Sequence, residues 1–157
     1  MATIAPNAPT VTAEASKFSI RGFPLLAEGQ TMTLLAEASD LKLHLKVHAP
    51  GWNGELVQHV HPGEDHAFFV LAGQATFRLQ GREPLTVGAF EGIMLPKGVA
   101  YSFENSGTEN LVIFRAGIAS PGARGLKLLE AVPQDQNVRH VIDHFVPNGQ
   151  HFAAEGR

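Results

Sequence analysis

The sequence predicts an all-β fold, a small sandwich or barrel, closed by a short C-terminal helical tail. Three observations predict it. From Phe18 to Gly117, short apolar runs recur between turns rich in glycine and proline, the pattern of a small all-β domain. The clearest run, Leu41 to His48, alternates residue by residue, with Leu and Val on one face and Lys and His on the other, as a strand with two unlike faces should. Helical spacing enters only after Ala119, where the composition changes.

The elements follow in order. Residues 1–16, rich in Ala, Pro, Thr and Asn, read as a flexible arm. Residues 17–118 form the barrel. Met32–Glu37 and Leu41–His48 are strands, and Pro50-Gly51 and Asn53-Gly54 break the chain after them. Glu55–His61, Ala67–Leu71, Gln74–Gln80, Pro84–Val87, Ile93–Pro96, Tyr101–Asn105 and Asn110–Ala116 continue the series. Residues 119–157 are a helical extension. Leu126, Leu129 and Val132 have helical spacing around Ala123–Ala131, Pro133 interrupts, and Gln134–Phe145 is a second helix ended by Pro147-Asn148-Gly149.

Length and composition narrow the functional classes. A chain of 157 residues with 44% hydrophobic and 17% charged side chains can bury one core. A net charge of −3 without a local Lys/Arg cluster argues against a nucleic-acid surface. The absence of cysteine excludes disulfides, thiolate ligands and thiol nucleophiles. The N-terminus has neither a basic flank nor an apolar core. No apolar stretch reaches the roughly 18 residues of a membrane helix. The expectation is a soluble cytoplasmic protein without membrane or nucleic-acid partners, acting on a small molecule.

Chemistry concentrates at His59, His61 and His66, three of the eight histidines within one short stretch. Residues two apart on a strand project from one face, roughly 6.5 Å apart at Cα. Two imidazoles so placed can converge on one metal ion, and a third entering from the next strand completes a face of its coordination sphere. Without cysteine, any metal here is held by nitrogen and oxygen. Phe68, Val70, Met94 and Phe103 share the inward parity of the metal residues, as a substrate-pocket wall or as barrel core. Trp52 is placed at the pocket mouth or packed in a loop. His44 and His48 fall on the polar face of their strand, as solvated or dimer-interface residues. His140 and His144, four apart on a predicted helix, read as surface residues. Glu64 and Asp65 are turn charges, either able to hydrogen-bond a histidine. Gly73 and Gly98 read as turn glycines.

These residues resemble the two-part signature of the cupins. The first part reads His59-x-His61-x4-His66-x6-Gly73, and the second Pro96-x-Gly98-x2-Tyr101-x3-Asn105. The resemblance spans about residues 30–117. The phrase HPGEDHAFFVLAG is most similar to small single-domain members of quercetin-dioxygenase-like type. The fold so implied is a double-stranded β-helix, a jelly-roll barrel with the metal inside one end. His66 stands where the signature has an acid, and Tyr101 where it has the fourth histidine. The glycines around the motifs, Gly54, Gly88 and Gly92, are displaced from their usual spacing. The resemblance implies a metal set of His59, His61, His66 and Tyr101. Three neutral imidazoles leave a divalent ion its full double charge, which favours an anionic chelating substrate. A phenol, with a pKa of about 10, must lose its proton to ligate well. Tyr101 is thus a ligand, a neighbour working as hydrogen-bond donor or general acid/base, or a space-filling side chain.

One divalent transition metal is expected, Fe(II) or Zn ahead of Mn, Ni and Cu. Three functions remain open. The first is a dioxygenase acting on a small enol, phenolic or diketone substrate. The second is a non-oxidative isomerase, cyclase or lyase with Tyr101 as acid/base. The third is a non-catalytic binding barrel. The resembling proteins imply a homodimer.

Overall fold

A computed structural model of the protein describes residues 14–53, 58–120, 128–129 and 145–152. Among the described residues every regular element is a strand, and no helix is long and apolar enough to cross a membrane. The strands are β1 (Phe23–Ala38), β2 (Leu41–His48), β3 (His59–Val60), β4 (Glu64–Ala72), β5 (Gln74–Leu79), β6 (Leu85–Gly88), β7 (Gly92–Leu95), β8 (Ala100–Asn105), β9 (Leu111–Ala119), β10 (Leu128–Leu129) and β11 (Phe145–Phe152). They form two antiparallel sheets, ordered β11-β1-β2-β9-β4-β7 and β10-β3-β8-β5-β6. From β2 to β9, strands fall where alternation and turn residues place them, but β3 is only His59–Val60 and β4 begins at Glu64 rather than Ala67, and residues 55–57 of the predicted Glu55–His61 strand lie outside the described residues.

The sheets face each other across a core of Phe68, Val70, Phe77, Val87, Leu95, Phe103, Leu111 and Ile113. Aromatic rings bind its centre. Phe68 lies 5.5 Å from Phe77 and 5.4 Å from Phe103, centroid to centroid. A second apolar cluster, Leu26, Leu45, Val47, Ala49 and Val112, lies on the opposite face of the larger sheet, with Ile20, Phe23 and Leu25 packed onto it.

That second cluster reverses the expected orientation of β2. Its Leu/Val face is covered from outside by the incoming chain, and His44, Lys46 and His48 point into the barrel. The registers require this. Lys46 pairs with Ile113 and His44 with Arg115, while Ile113 pairs with Val70 and Arg115 with Phe68 of β4. Paired residues share a face. His44 and His48 are buried rather than solvated, because alternation distinguishes two faces without saying which one is covered.

Met94 also needs correction. It pairs with Ala67, whereas His66 pairs with Leu95. Leu95 therefore carries the inward parity, and Met94 is 65% exposed. Phe68, Val70 and Phe103 are buried in the core as expected. Most of both predicted tail helices, with His140 and His144, lies outside the described residues, as do residues 1–13 of the arm. Where the tail is described it is strand: Leu128–Leu129 pairs with β3, and Phe145–Phe152 with β1.

The turns are chemically specified. Gly73 has φ +81°, and a Cβ there would collide with the Asn110 carbonyl oxygen, so only glycine fits. Asn105 donates from Nδ2 to the carbonyls of His48, Ala49 and Glu109. Asn110 clamps β1 to the start of β9: its Oδ1 accepts from Leu26 N at 2.8 Å, and its Nδ2 donates to Leu26 O at 3.0 Å. Truncating this buried amide leaves Leu26 without those partners. Asn110→Ala should therefore lower unfolding stability by about 2–4 kcal/mol, read from urea denaturation. A loss below about 0.5 kcal/mol would refute the clamp.

Candidate metal centre

The two halves of the histidine motif meet because β3 pairs with β8 and β4 pairs with β9. His59 sits opposite Tyr101, and His66 opposite Gly117. The turn glycine of the second motif closes the assembly. Gly98, at φ +85°, donates its N–H to the His61 carbonyl at 3.0 Å. Lys97 N–H donates to Asp65 Oδ1 at 2.9 Å. Asp65 is therefore a brace for the turn.

Four rings cluster at this end of the barrel. His59 lies 4.9 Å from His61 and 4.6 Å from Tyr101, and His61 lies 4.2 Å from His66, centroid to centroid. His59, His66 and Tyr101 are buried, and His61 is half-buried. Phe68 closes the floor, 6.1 Å from His66 and 5.9 Å from Tyr101.

Glu64 joins the cluster. Among the described residues, the group whose ligand atoms converge is His61, Glu64 and His66, all within 4.8 Å of one another. That separation lets small rotations bring the three onto one ion, whose nitrogen and oxygen ligands stand about 2.0–2.2 Å away. Glu64 and His66 both fall on the inward face because they are two apart on β4. The carboxylate thus comes from the first residue of the strand.

His66 shows what the donor set accommodates. Its Nδ1 lies 3.0 Å from the Tyr101 hydroxyl. Its Nε2 lies 2.9 Å from Glu64 Oε2 and 2.7 Å from Arg115 NH2. Arg115 NH2 is in turn 3.6 Å from Glu64 Oε2. One nitrogen carries either a hydrogen or a lone pair. It cannot donate to the carboxylate and accept from the guanidinium together. With the lone pair on Nε2, Arg115 donates and Glu64 faces that nitrogen acceptor to acceptor. A cation between the two atoms relieves this contact, and the Arg115 guanidinium holds part of that place. Nδ1–H then donates to Tyr101, the arrangement that orients a ligating histidine. The donor set therefore fits a divalent ion, which would displace Arg115 from His66.

Gly117 makes the room. A Cβ there would approach His66 Cδ2 to 3.3 Å and Arg115 NH2 to 3.4 Å. A crevice of about 20 Å³, lined by Asp40, Lys42, Glu64, Arg115, Gly117 and Ala119, reaches the site from the β1–β2 turn. It has room for a single water. Arg115 and Gly117 were missed from the sequence, although Leu111, Ile113, Arg115 and Gly117 share one parity and could have been read as an inward row. Trp52 is half-buried in its loop.

The fold is a two-sheet, double-stranded β-helix with histidines and a carboxylate at one end, and comparison with known proteins shows what it is similar to. Residues 46–116 match the model of the cupin domain. No curated protein sequence matches. Among solved structures, a conserved protein with a double-stranded β-helix domain from Klebsiella pneumoniae aligns at 20% identity over 74% of this chain and 99% of its own, with a TM-score of 0.59. The Cnp3 cupin domain of Schizosaccharomyces pombe aligns at 13% identity over 59% of this chain, TM-score 0.54. A protein provisionally assigned as a sugar phosphate isomerase from Acidithiobacillus ferrooxidans aligns at 25% identity over 58%, TM-score 0.51. The aligned region spans 62% and 60% of the latter two chains. Over residues 46–116 the chain is thus similar to the cupin domain.

Electrostatics around the centre generate a pH prediction. His44 Nδ1 lies 3.3 Å from Arg115 NH1. Burial, then Arg115, Lys46 and Lys42, lower its pKa below the ordinary 6.5, with Glu37 opposing. The fold thus prefers neutral His44. Its contribution is complete above pH 6.5 and is lost as the pH falls below that value toward the lowered one. Wild type should lose more stability than His44→Gln between pH 7 and 5 in paired urea titrations, and equal slopes would contradict this.

Proposed function

We propose that the protein is a metal-dependent enzyme acting on a small chelating substrate of enol, phenolic or diketone type. A divalent transition ion would be held by His61, Glu64 and His66, with His59 beside them. The observation that carries this reading is the convergence of two imidazoles and one carboxylate. Such a set, with open positions, suits ferrous iron in oxygen chemistry, and we read the reaction as a dioxygenation. Zinc is the next candidate. When bound, the ion supplies Lewis acidity and, as iron, redox chemistry.

The chain's own residues define the rest. Phe68, Val70 and Phe103 form an apolar wall that keeps water from the reacting end. Tyr101, held by His66 Nδ1 at 3.0 Å, is placed to pass a proton or steady a developing oxyanion. This hydrogen bond also favours a second reading, a non-oxidative isomerase, cyclase or lyase with Tyr101 as acid/base. The fold is shared with the provisionally assigned sugar phosphate isomerase, in keeping with that alternative.

Elemental analysis and an oxygen electrode, run with a panel of diketones and catechols, test the proposal. Protein purified without added metal should carry a stoichiometric ion. Glu64→Gln and His61→Ala should lose it. Tyr101→Phe should keep it and lose turnover by about 10²–10⁴-fold. Turnover without oxygen uptake would replace the dioxygenase by the second reading. Failure to hold any ion, even after incubation with iron, zinc, manganese, nickel and copper, would leave only a binding barrel.

A further inference from the structure

Arg115 stands among the ligand atoms of the candidate metal centre. Its NH2 lies 2.7 Å from His66 Nε2 and 3.6 Å from Glu64 Oε2, and His66 and Glu64 are two of the three groups that converge there. Its NH1 lies 3.3 Å from His44 Nδ1. The guanidinium, carried by β9, therefore touches β2 and β4 as well, and its side chain is only 14% exposed. A Cβ on Gly117 would come within 3.4 Å of NH2, so the glycine leaves the space that the guanidinium fills.

Charge explains why a cation belongs in this place. Glu64 is 16% exposed and faces an imidazole nitrogen that offers its lone pair to Arg115. A carboxylate so placed needs a positive neighbour. Arginine keeps its proton throughout the physiological range, so Arg115 supplies that charge to the metal-free centre. A guanidinium and a divalent ion cannot share the place. A ligated ion stands about 2.0–2.2 Å from the same nitrogen, and two positive centres at such separations overlap and repel. Arg115 also has somewhere to go. It lines the crevice that holds Asp40, a second carboxylate toward which the guanidinium can turn.

We propose that Arg115 is the built-in counter-cation of the metal-free centre. It secures Glu64 and His66 when no ion is bound, and it competes with the ion for them, so it sets how tightly the centre loads. The inference rests on reading the site as metal-binding and assigns control of its occupancy to one side chain. Stability and affinity are then linked through that residue. Whatever Arg115 adds to the metal-free fold alone, it subtracts from the affinity for the ion.

The test is cobalt titration of EDTA-treated wild type, Arg115→Met, Arg115→Gln and Arg115→Lys, read by the visible absorption of bound cobalt and by competition with a chelator. Both neutral variants should bind cobalt about tenfold or more tightly than wild type. Arg115→Lys should stay within about threefold of wild type, because the charge remains. The metal-free Tm of the neutral variants should fall by about 3 °C or more, and saturating cobalt should return it to that of cobalt-loaded wild type. A tighter site in a less stable protein separates the proposal from a merely structural role, whose loss would weaken both. Equal or weaker cobalt binding by the neutral variants, with wild type still loading, would overturn the counter-cation and leave the metal reading standing. So would a metal-free Tm that does not fall, or an Arg115→Lys that binds as tightly as the neutral variants. Cobalt uptake by none of the four proteins would sink the metal reading, and the inference with it. Uptake by the neutral variants alone would sustain Arg115 as the occupant of the place and sink the metal reading of the natural chain.

Discussion

The register of β9 is the constraint on which the interior depends. This strand pairs along its length with β2 on one side and β4 on the other. Alternation along it aims Leu111, Ile113, Arg115 and Gly117 inward. The registers then oblige Lys46 and His44 to face inward beside them on one flank, and Val70, Phe68 and His66 on the other. A slip of one residue would turn the β9 row outward and set Val112, Phe114 and Ala116 between the inward rows of β2 and β4 instead. The apolar half of the core and the charged end of the barrel are therefore one decision of the backbone.

Within that frame, the candidate metal centre is built from side chains of different origin meeting at a single nitrogen. Glu64 and His66 come from β4, Arg115 from β9 and Tyr101 from β8. Gly117 contributes by having no side chain, and Gly98 by tying the second motif to the carbonyl of His61. The crowding of donor and acceptor at His66 Nε2 is the signature of a place suited to positive charge. Hydrogen bonding alone leaves one of those contacts unfavourable.

The strands from β2 to β9 were legible in the sequence because period-two alternation and glycine-bearing turns are local signals. The His59, His61, His66 and Tyr101 cluster was legible as well, through spacing and resemblance. Orientation was not. The Leu41–His48 alternation describes a strand with unlike faces, and only the cover supplied by Ile20, Phe23 and Leu25 decides that the histidines turn inward. Met94 was misplaced for a related reason: one residue of register separates it from Leu95. Glu64 looked like a turn charge because it follows Pro62-Gly63. It became a candidate ligand because the strand begins at that residue and shares the parity of His66. Two-residue pairing between β10 and β3 depends on contacts distant in the chain, which helical spacing near Leu126 and Leu129 could not reveal.

The guanidinium beside His66 and Glu64 has a bearing on discrimination among ions. Metal occupancy of this end of the barrel would be an exchange of one cation for another. Sodium or potassium would offer the carboxylate no more charge than arginine already does, and would forfeit its directional N–H contacts. A doubly charged ion with affinity for imidazole gains on both counts. An arginine parked there would act as a threshold, keeping abundant monovalent ions out and yielding to scarcer divalent ones.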